Sequence, residues 1–571
     1  MRYVDPALLE RVNVWLTPFF DNDIQEQIKE MIAYDPEGLE DSFYKTLEFG
    51  TGGMRGVMGP GDNRINKYTL GKATQGLCNY LQKEFPDQDL KVAIAYDCRH
   101  NSDSLSQTVA EVFSANGVEV FLFSELRPTP ELSFAVKALD CHCGIVLTAS
   151  HNPPEYNGYK VYWRDGGQLV PPHDKAIIQQ IEAIGYEDTK FDARPELIHS
   201  IDEQVDAAFV QASLENGTLD NSAEDRAALK VVFTPLHGTS VTMVPRVLRE
   251  AGYSGLKVVE AQAQPDGDFP TVESPNPEET EALEMALEEG RRTGADIVIG
   301  TDPDCDRLGI AVRNTSGELE LLNGNQAMVV LAHILLERWK DEGKIDGRQF
   351  IGSTIVSTPM LRPICKAFGV KYMEGLTGFK WIAKMVLDHP ELEFIGGGEE
   401  SYGFMVGDFV RDKDAVTSTL LACEAAAQLK ARGLTMTDYL KELYEEFGTY
   451  RETLTSLVKK GKQGAEEIEG IMQQLRENPA EKLGGERVIR MEDYLRGTYT
   501  NLETGDTGTL ELPNSNVLIY FTDKGSKVAA RPSGTEPKIK FYISVNSPGV
   551  GTEVDNSLNQ RISKIKTQLG I

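Results

Sequence analysis

Apolar residues recur along the chain as short continuous runs separated by stripes at helical spacing. The run 144–147 is the clearest, with the length of a buried strand. Residues 91–97, 118–124, 229–233, 256–259, 295–300 and 350–357 read the same way, and 394–397 is a shorter example. A helix over 104–116 separates the first two of these. Val416, Leu420 and Cys423 share a face of another, with Asp414 as its cap and Gly433 as its stop. Near the start, Asp5 and Pro6 open a helix with Leu8, Val12, Trp15 and Leu16 on one side. Ile24, Ile28, Met31 and Ile32 repeat that spacing, and all of these positions are expected in a core.

Alternating strands and helices predict mainly parallel sheets covered by helices. Three such α/β units are expected, over 1–205, 206–325 and 326–450. Past 450 the pattern changes. A polar segment at 459–464 leads to a helix with Ile468, Ile471, Met472 and Leu475 on one side. Strands at 516–521, 527–530 and 539–545 then dominate, which predicts a smaller α+β unit over 451–571.

The run 144–147 stops at Thr148-Ala149-Ser150-His151-Asn152-Pro153-Pro154. Proline removes a donor and restricts its predecessor, so neither strand nor helix continues. Ser150 is therefore expected on a sharp loop at the carboxyl end of a strand, where open α/β sheets bind ligands. We read it as a nucleophile that carries a phosphoryl group; an ordinary strand-to-loop serine is the alternative.

Composition narrows the class. Of 571 residues, 40% are hydrophobic and 26% charged, as in a multidomain globular protein. No apolar run approaches the roughly 18 residues of a membrane span. The N-terminus carries no basic region followed by an apolar core, so no secretory signal is expected. Seven cysteines are few and odd in number, which predicts no disulfide framework and a cytoplasmic location. Cys141 and Cys143 flank His142 without a second cluster to complete a zinc site, so they read as buried small residues. A net charge of -30 argues against nucleic acid and anionic membrane as partners. A phosphorylated ligand would also be repelled overall, so cations concentrated in glycine-rich loops carry more information than average.

Several loops fit that description. Gly52-Gly53-Met54-Arg55-Gly56 offers free backbone and a guanidinium fork for an anion, or else is a flexible turn. Lys160, just past the serine loop, is an acid or base near Ser150 or a surface lysine. Asp302, Asp304 and Asp306 alternate at the end of a strand and would converge if extended. Their mutual repulsion calls for a cation, and oxygen-only ligands favour Mg²⁺ before Ca²⁺. A calcium EF-hand fails, because Arg307 and Arg313 stand where that loop needs Gly and Glu. A phosphatase with an Asp nucleophile competes with the metal reading. Glu399, Glu400 and Ser401 suit sugar hydroxyls, but adjacent strand residues face opposite ways and make a poor glycosidase pair. Lys413, at a helix start, moves protons, holds phosphate or lies on the surface. Arg531, Ser533, Gly534 and Thr535 form a phosphate cradle or a tight hairpin loop.

Taken in order, loops 148–153, 302–307, 398–403 and 531–537 resemble the phosphoserine, metal, sugar and phosphate loops of the α-D-phosphohexomutase family. The resemblance runs over nearly the whole chain. It implies three related mixed or parallel-sheet α/β domains plus a C-terminal α+β domain of different fold, around one central cleft. It also implies a phosphorylated Ser150 and one Mg²⁺ per chain on Ser150 and the three aspartates. Glu399 and Ser401 would bind sugar hydroxyls, and Arg531, Ser533, Gly534 and Thr535 the phosphate that is not transferred. Arg55, His151, Lys160, Arg307, Thr377, Gly378 and Lys413 match further site positions. Residues 152–158 and 376–380 look most like the branch of bacterial α-phosphoglucomutases and animal phosphopentomutases. The implied reaction interconverts glucose 1-phosphate and glucose 6-phosphate through glucose 1,6-bisphosphate, with mannose or pentose phosphates as the alternative substrates. Small sugar phosphates would be the only partners of a monomer or homodimer.

Overall fold

The computed structural model describes residues 6–50, 52–314, 316–459, 461–533 and 537–571. Three sheets follow one plan. The first has six strands, in the spatial order Gly53–Val57, Tyr156–Trp163, Cys143–Leu147, Lys91–Tyr96, Glu119–Phe123 and Ile198–Ile201. The second runs Leu319–Leu322, Leu308–Arg313, Ile297–Thr301, Val231–Thr234 and Leu256–Val258. The third runs Lys371–Gly375, Gln349–Thr354, Glu393–Glu399 and Gly403–Val406. In each, parallel strands end in one strand that returns antiparallel: 143–147 pairs with 156–163, 297–301 with 308–313, and 393–399 with 403–406. The serine, acidic and glutamate loops are the three return connections. Parallel strands need long crossovers, whereas an antiparallel return needs only a short turn. That places a short, sharply bent loop at the carboxyl end of each sheet.

The C-terminal sheet is antiparallel throughout. Its order is Thr449–Val458, Lys538–Ser547, Lys527–Pro532, Leu518–Thr522, Glu486–Asp493, Thr498–Asn501 and Thr507–Thr509, with Lys482–Leu483 paired to the fifth of these. Helices Gly461–Glu477 and Thr552–Leu569 pack on it, through Ile468, Met472, Leu558 and Ile565. The described ends of loop 531–537 belong to the hairpin between Lys527–Pro532 and Lys538–Ser547.

Helix Ala415–Ala431 is buried on nearly every side within the apolar cluster shared by the second and third units. Asp414 caps it as expected, accepting from the backbone N–H groups of Val416 and Thr417 at 2.8 and 3.1 Å. Gly433 follows at φ +74°, the left-handed geometry that ends a helix.

Some expectations change. The first helix spans Pro6–Val14, so Trp15 and Leu16 lie beyond it. Trp15 is nonetheless fully buried, and its indole N–H donates to Asp62 Oδ1 at 2.8 Å. Asp5 lies outside the described residues. Ile32 is exposed rather than in the core, whereas Ile28 is fully buried. The glycine-rich segment after Gly50 is more ordered than a turn: 53–57 is an edge strand with Arg55 opposite Gly158. A side chain at Gly53, where φ is +128°, would meet the Tyr159 carbonyl at 1.8 Å, which explains the glycine there. All seven cysteines are free, and Cys141 and Cys143 are buried. Among the described residues no helix is long and apolar enough to cross a membrane.

Candidate active site

The serine loop is held from beneath by a residue that sequence reasoning missed. Arg99 is buried and donates to the carbonyl oxygens of Ser150 (2.7 Å), Pro153 (2.8 Å) and Tyr156 (3.0 Å), and also to that of Asn152. A guanidinium has five donors, enough to satisfy carbonyls that a proline-bound loop cannot satisfy itself. Buried Asp97 pairs with Arg99 at 3.4 Å. Both follow the strand Lys91–Tyr96, so the signal was again a polar pair at a strand's carboxyl end. Ser150 sits at φ +52°, with its N–H donating to Thr148 Oγ1 at 2.8 Å. Cys305 in the acidic loop (φ +59°) and Tyr402 in the glutamate loop (φ +63°) share this left-handed geometry. For residues other than glycine that costs on the order of 1 kcal/mol or more each, and it persists where the surroundings over-determine it.

The hydroxyl and the acidic loop meet. Ser150 Oγ donates to Asp302 Oδ2 at 2.7 Å and lies 3.2 Å from His151 Nδ1. Asp302, Asp304 and Asp306 are buried, with one oxygen of each within 4.8 Å of the others. The convergence does not come from an extended segment. Residues 302–307 form a tight turn: the Asp302 carbonyl accepts from Cys305 N–H at 2.9 Å. Asp302 Oδ1 accepts from the N–H groups of Asp306 and Arg307 at 3.0 and 2.9 Å.

Lys160 and Lys413 complete the cluster. Lys160 Nζ reaches Asp304 Oδ2 at 2.6 Å and Asp306 Oδ2 at 3.0 Å. Lys413 Nζ reaches Asp306 Oδ2 at 2.8 Å. Burial pushes Asp302 well above the usual carboxylate range, with Asp306 and Asp304 adding to the effect. Burial raises Asp306 too, but Lys160 and Lys413 outweigh it and hold that carboxyl far below the usual range. Burial and Asp306 likewise raise Asp304, yet Lys160 keeps it below.

The donor set fits a hard divalent cation. Asp304 Oδ1 and Asp306 Oδ1 are buried without a hydrogen-bond partner. Free carboxylate lone pairs in a buried, oxygen-only group are what Mg²⁺ requires.

A cleft of 760 Å³ opens over this cluster. It brings together Arg55, Ser150, His151, Lys160, Asp306, Arg307, Thr377, Gly378, Glu399, Ser401, Lys413 and Arg531, with residues from all four sheets. Asp302 and Asp304 lie deeper, fully buried. Arg55 is tied to the serine loop by a bond to Asn152 Oδ1 at 2.8 Å. Burial, then Arg307 and Arg55, push His151 down to about 3, so it is a neutral imidazole at neutral pH. Arg307 pairs with Glu278 from a loop that sequence reasoning passed over. Thr377 Oγ1 is buried without a partner beside Gly378, whose φ is +107°.

The expected phosphate cradle lies only partly within the described residues. Ser533 faces a neighbouring pocket and not this cleft, with its N–H donating to the Lys538 carbonyl at 2.7 Å. Gly534 and Thr535 lie outside the described residues. Lys538 and Lys540 line the cleft instead. Residues two apart on a strand share a face, so the Lys-x-Lys pattern after the loop was the available signal.

Glu399 is buried, and burial, resisted by Lys413 and reinforced by Glu400, raises it to about 7. A carboxyl raised from 4.5 to about 7 contributes stability that is present below pH 4.5 and lost as pH rises to 7. Relative to Glu399→Gln, the wild type should therefore lose up to about 3 kcal/mol across that window. Unfolding midpoints of both proteins against pH test this; parallel curves would contradict it.

Comparison with known proteins places the chain. Residues 46–188, 207–317 and 323–447 match the models of phosphoglucomutase/phosphomannomutase alpha/beta/alpha domains I, II and III. The chain belongs to the phosphoglucomutase/phosphomannomutase family. It is thus a phosphohexomutase-type isomerase, as the four loops implied. A phosphoglucomutase of Staphylococcus epidermidis is 37% identical over 535 residues, covering 92% of this chain and 94% of the relative. One of Staphylococcus aureus is 38% identical over 519 residues, covering 89% and 91%. Two crystal structures share the family fold at lower identity. A phosphoglucomutase/phosphomannomutase family protein from Burkholderia thailandensis has a TM-score of 0.65 at 18% identity, covering 91% of this chain and 97% of that one. The phosphoprotein pp63/parafusin of Paramecium, in an open form, has a TM-score of 0.69 at 18% identity, covering 92% and 96%.

Proposed function

We propose that the protein interconverts α-D-glucose 1-phosphate and glucose 6-phosphate through a phosphorylated Ser150 and glucose 1,6-bisphosphate. The observation that carries the reading is the 2.7 Å bond from Ser150 Oγ to Asp302, inside a trio of buried aspartates with open lone pairs. Ser150, Asp302, Asp304 and Asp306 would hold Mg²⁺, which when bound polarises the phosphoryl group and offsets its charge. The choice of glucose rests on the relatives named phosphoglucomutase. We take the four sheets as domains over 1–205, 206–325, 326–450 and 451–571, and residues of each line the cleft.

In this reading the sugar binds with its free hydroxyl toward Ser150 and its phosphate toward Arg531, Lys538 and Lys540. Ser533, Gly534 and Thr535 would complete that remote phosphate site. Glu399 and Ser401 accept and donate bonds to the sugar hydroxyls. The phosphorus–Oγ bond breaks as a bond from phosphorus to the sugar oxygen forms. The sugar hydroxyl loses a proton and Oγ gains one. Glu399, raised to about 7, suits the acceptor role, since a general base works best near the ambient pH. Lys160 and Lys413 are raised above the usual lysine range, because the aspartates outweigh their burial, so they act as ammonium donors. Lys160 is the group we assign to return a proton to Oγ. Arg55, Arg307 and neutral His151 surround the transferring phosphoryl, and Thr377 Oγ1 offers a further bond. The bisphosphate then turns over within the cleft and returns its other phosphate to Ser150 by the reverse steps.

A parallel assay on glucose, mannose and ribose 1-phosphates checks the substrate. The highest kcat/KM is expected for glucose 1-phosphate. A preference for mannose or ribose 1-phosphate would move the protein to the corresponding mutase.

A further inference from the structure

The turn 354–358 of the third unit, with Leu376 beside it, packs against the C-terminal sheet. Ile355, Val356 and Leu376 on one side pack against Val517, Ile519 and Ala529 on the other. Polar bonds flank this apolar seam. Lys527, only 3% exposed, donates from Nζ to the carbonyl oxygens of Ile355 at 3.1 Å and Ser357 at 2.5 Å. Thr358 Oγ1 donates to Glu452 Oε1 at 2.6 Å, and Ser544 Oγ reaches the same oxygen at 3.2 Å. Lys527, Glu452 and Ser544 all belong to the C-terminal sheet.

The opposite side of the turn holds the glutamate loop. Ser357 Oγ donates to Glu400 Oε2 at 2.9 Å, and Thr354 Oγ1 donates to it at 3.2 Å. Glu400 N–H donates back to Ser357 Oγ at 3.2 Å. Glu400 thus uses one carboxylate oxygen on the turn, and it lines the cleft together with its neighbours Glu399 and Ser401. A continuous chain of bonds runs from Lys527 through Ser357 to Glu400. It links the sheet that carries Arg531, Lys538 and Lys540 to the loop that carries Glu399 and Ser401.

Lys527 is an expensive residue in this place. A buried ammonium loses its hydration, and neutral carbonyls return only part of it. A purely apolar seam would hold the two sheets together without that cost. What the ammonium adds is direction, because its bonds to two carbonyls fix the turn in one orientation.

We propose that Lys527 is a positioning residue for the mutase reaction: it orients the turn 354–358 and, through Ser357, the carboxylate of Glu400, so that the remote-phosphate end and the sugar-hydroxyl end of the cleft keep a fixed relation. The proposal rests on the sugar role assigned above to Glu399 and Ser401. Lys527 also lines the cleft, so direct phosphate binding is the competing role that the test must separate.

The test is a double-mutant cycle on the full chain with Lys527→Met and Glu400→Gln, assayed on whichever sugar 1-phosphate turns over fastest. Groups in one network commonly couple by 0.5–3 kcal/mol, so each single change should lower kcat/KM by roughly three- to hundredfold. The double variant should lose no more than the worse single one. Lys527→Arg should recover part of the loss, and inhibition by inorganic phosphate should be unchanged in all of them. Losses that multiply, or a phosphate inhibition constant that rises in step with the loss, would overturn the proposal. If Lys527→Met does not fold, Lys527→Arg takes its place in the cycle under the same criterion. Glu399→Gln distinguishes the underlying reading: an unchanged KM there would remove the sugar role of the loop, whatever the cycle shows.

Discussion

Ser150→Ala is expected to lose mutase turnover by on the order of 10⁵-fold, the scale of losing a covalent nucleophile in other enzymes. The loss should fall on kcat, because the groups assigned to bind the sugar phosphate are untouched. The same variant should take up no label from a labelled glucose 1,6-bisphosphate. The reasoning is geometric. Ser150 is held at φ +52° on a loop fastened by Arg99, and its hydroxyl is already committed to Asp302 at 2.7 Å. Neither arrangement helps an ordinary core serine, and the backbone geometry costs stability. Retained turnover, or labelling at another residue, would remove Ser150 from the carrier role.

Removal of the divalent cation should have the second-largest effect. A Lewis acid on the transferring oxygens is worth several kcal/mol, so chelation should lower kcat by on the order of 10³-fold or more, with recovery on adding Mg²⁺. Asp302→Asn should share that loss of activity but have the opposite effect on stability. In the metal-free protein burial and two neighbouring carboxylates raise Asp302. Its contribution to stability is therefore present below its ordinary value of 3.8 and is lost as pH rises through its raised value. The neutral amide has no charge to strand, so in chelator the variant should melt at or above the wild-type temperature once pH exceeds the raised value of Asp302. Added Mg²⁺ should then stabilise the wild type more than the variant. A variant that is inactive and also less stable under chelation would mean that the acidic turn is structural. A wild type indifferent to chelator would argue against metal chemistry altogether.

Much of the site was legible in the sequence, because its residues stand in short loops at the ends of apolar runs. The runs located strands, the prolines and glycines ended them, and Ser150, the three aspartates and Glu399 sat beyond. The reason for the aspartates' convergence was not legible. Alternation suggested one face of an extended segment, whereas the turn is built by Asp302 accepting the N–H groups of Asp306 and Arg307. That depends on backbone left-handed at Cys305, which no side-chain pattern announces. The antiparallel returns behind three of the loops were equally hidden, since strand direction is a tertiary property. Arg99 escaped notice because its partners are carbonyl oxygens some fifty residues away, not side chains with a pattern. Lys160 and Lys413 could not be told from surface lysines along the chain. Only folding brings them to aspartates 144 and 107 positions distant in number, at Asp304 and Asp306. Ile32 shows the converse, because helical spacing gives a stripe without saying how wide the covered face will be.

The most direct measurement is the chemical state of Ser150 in the wild-type protein during turnover, by mass spectrometry of the peptide that contains it. Incubation with glucose 1,6-bisphosphate should load one phosphoryl group on Ser150, and excess glucose 6-phosphate should exchange it with label between the two. An enzyme turning over at full rate with Ser150 never esterified would contradict the account.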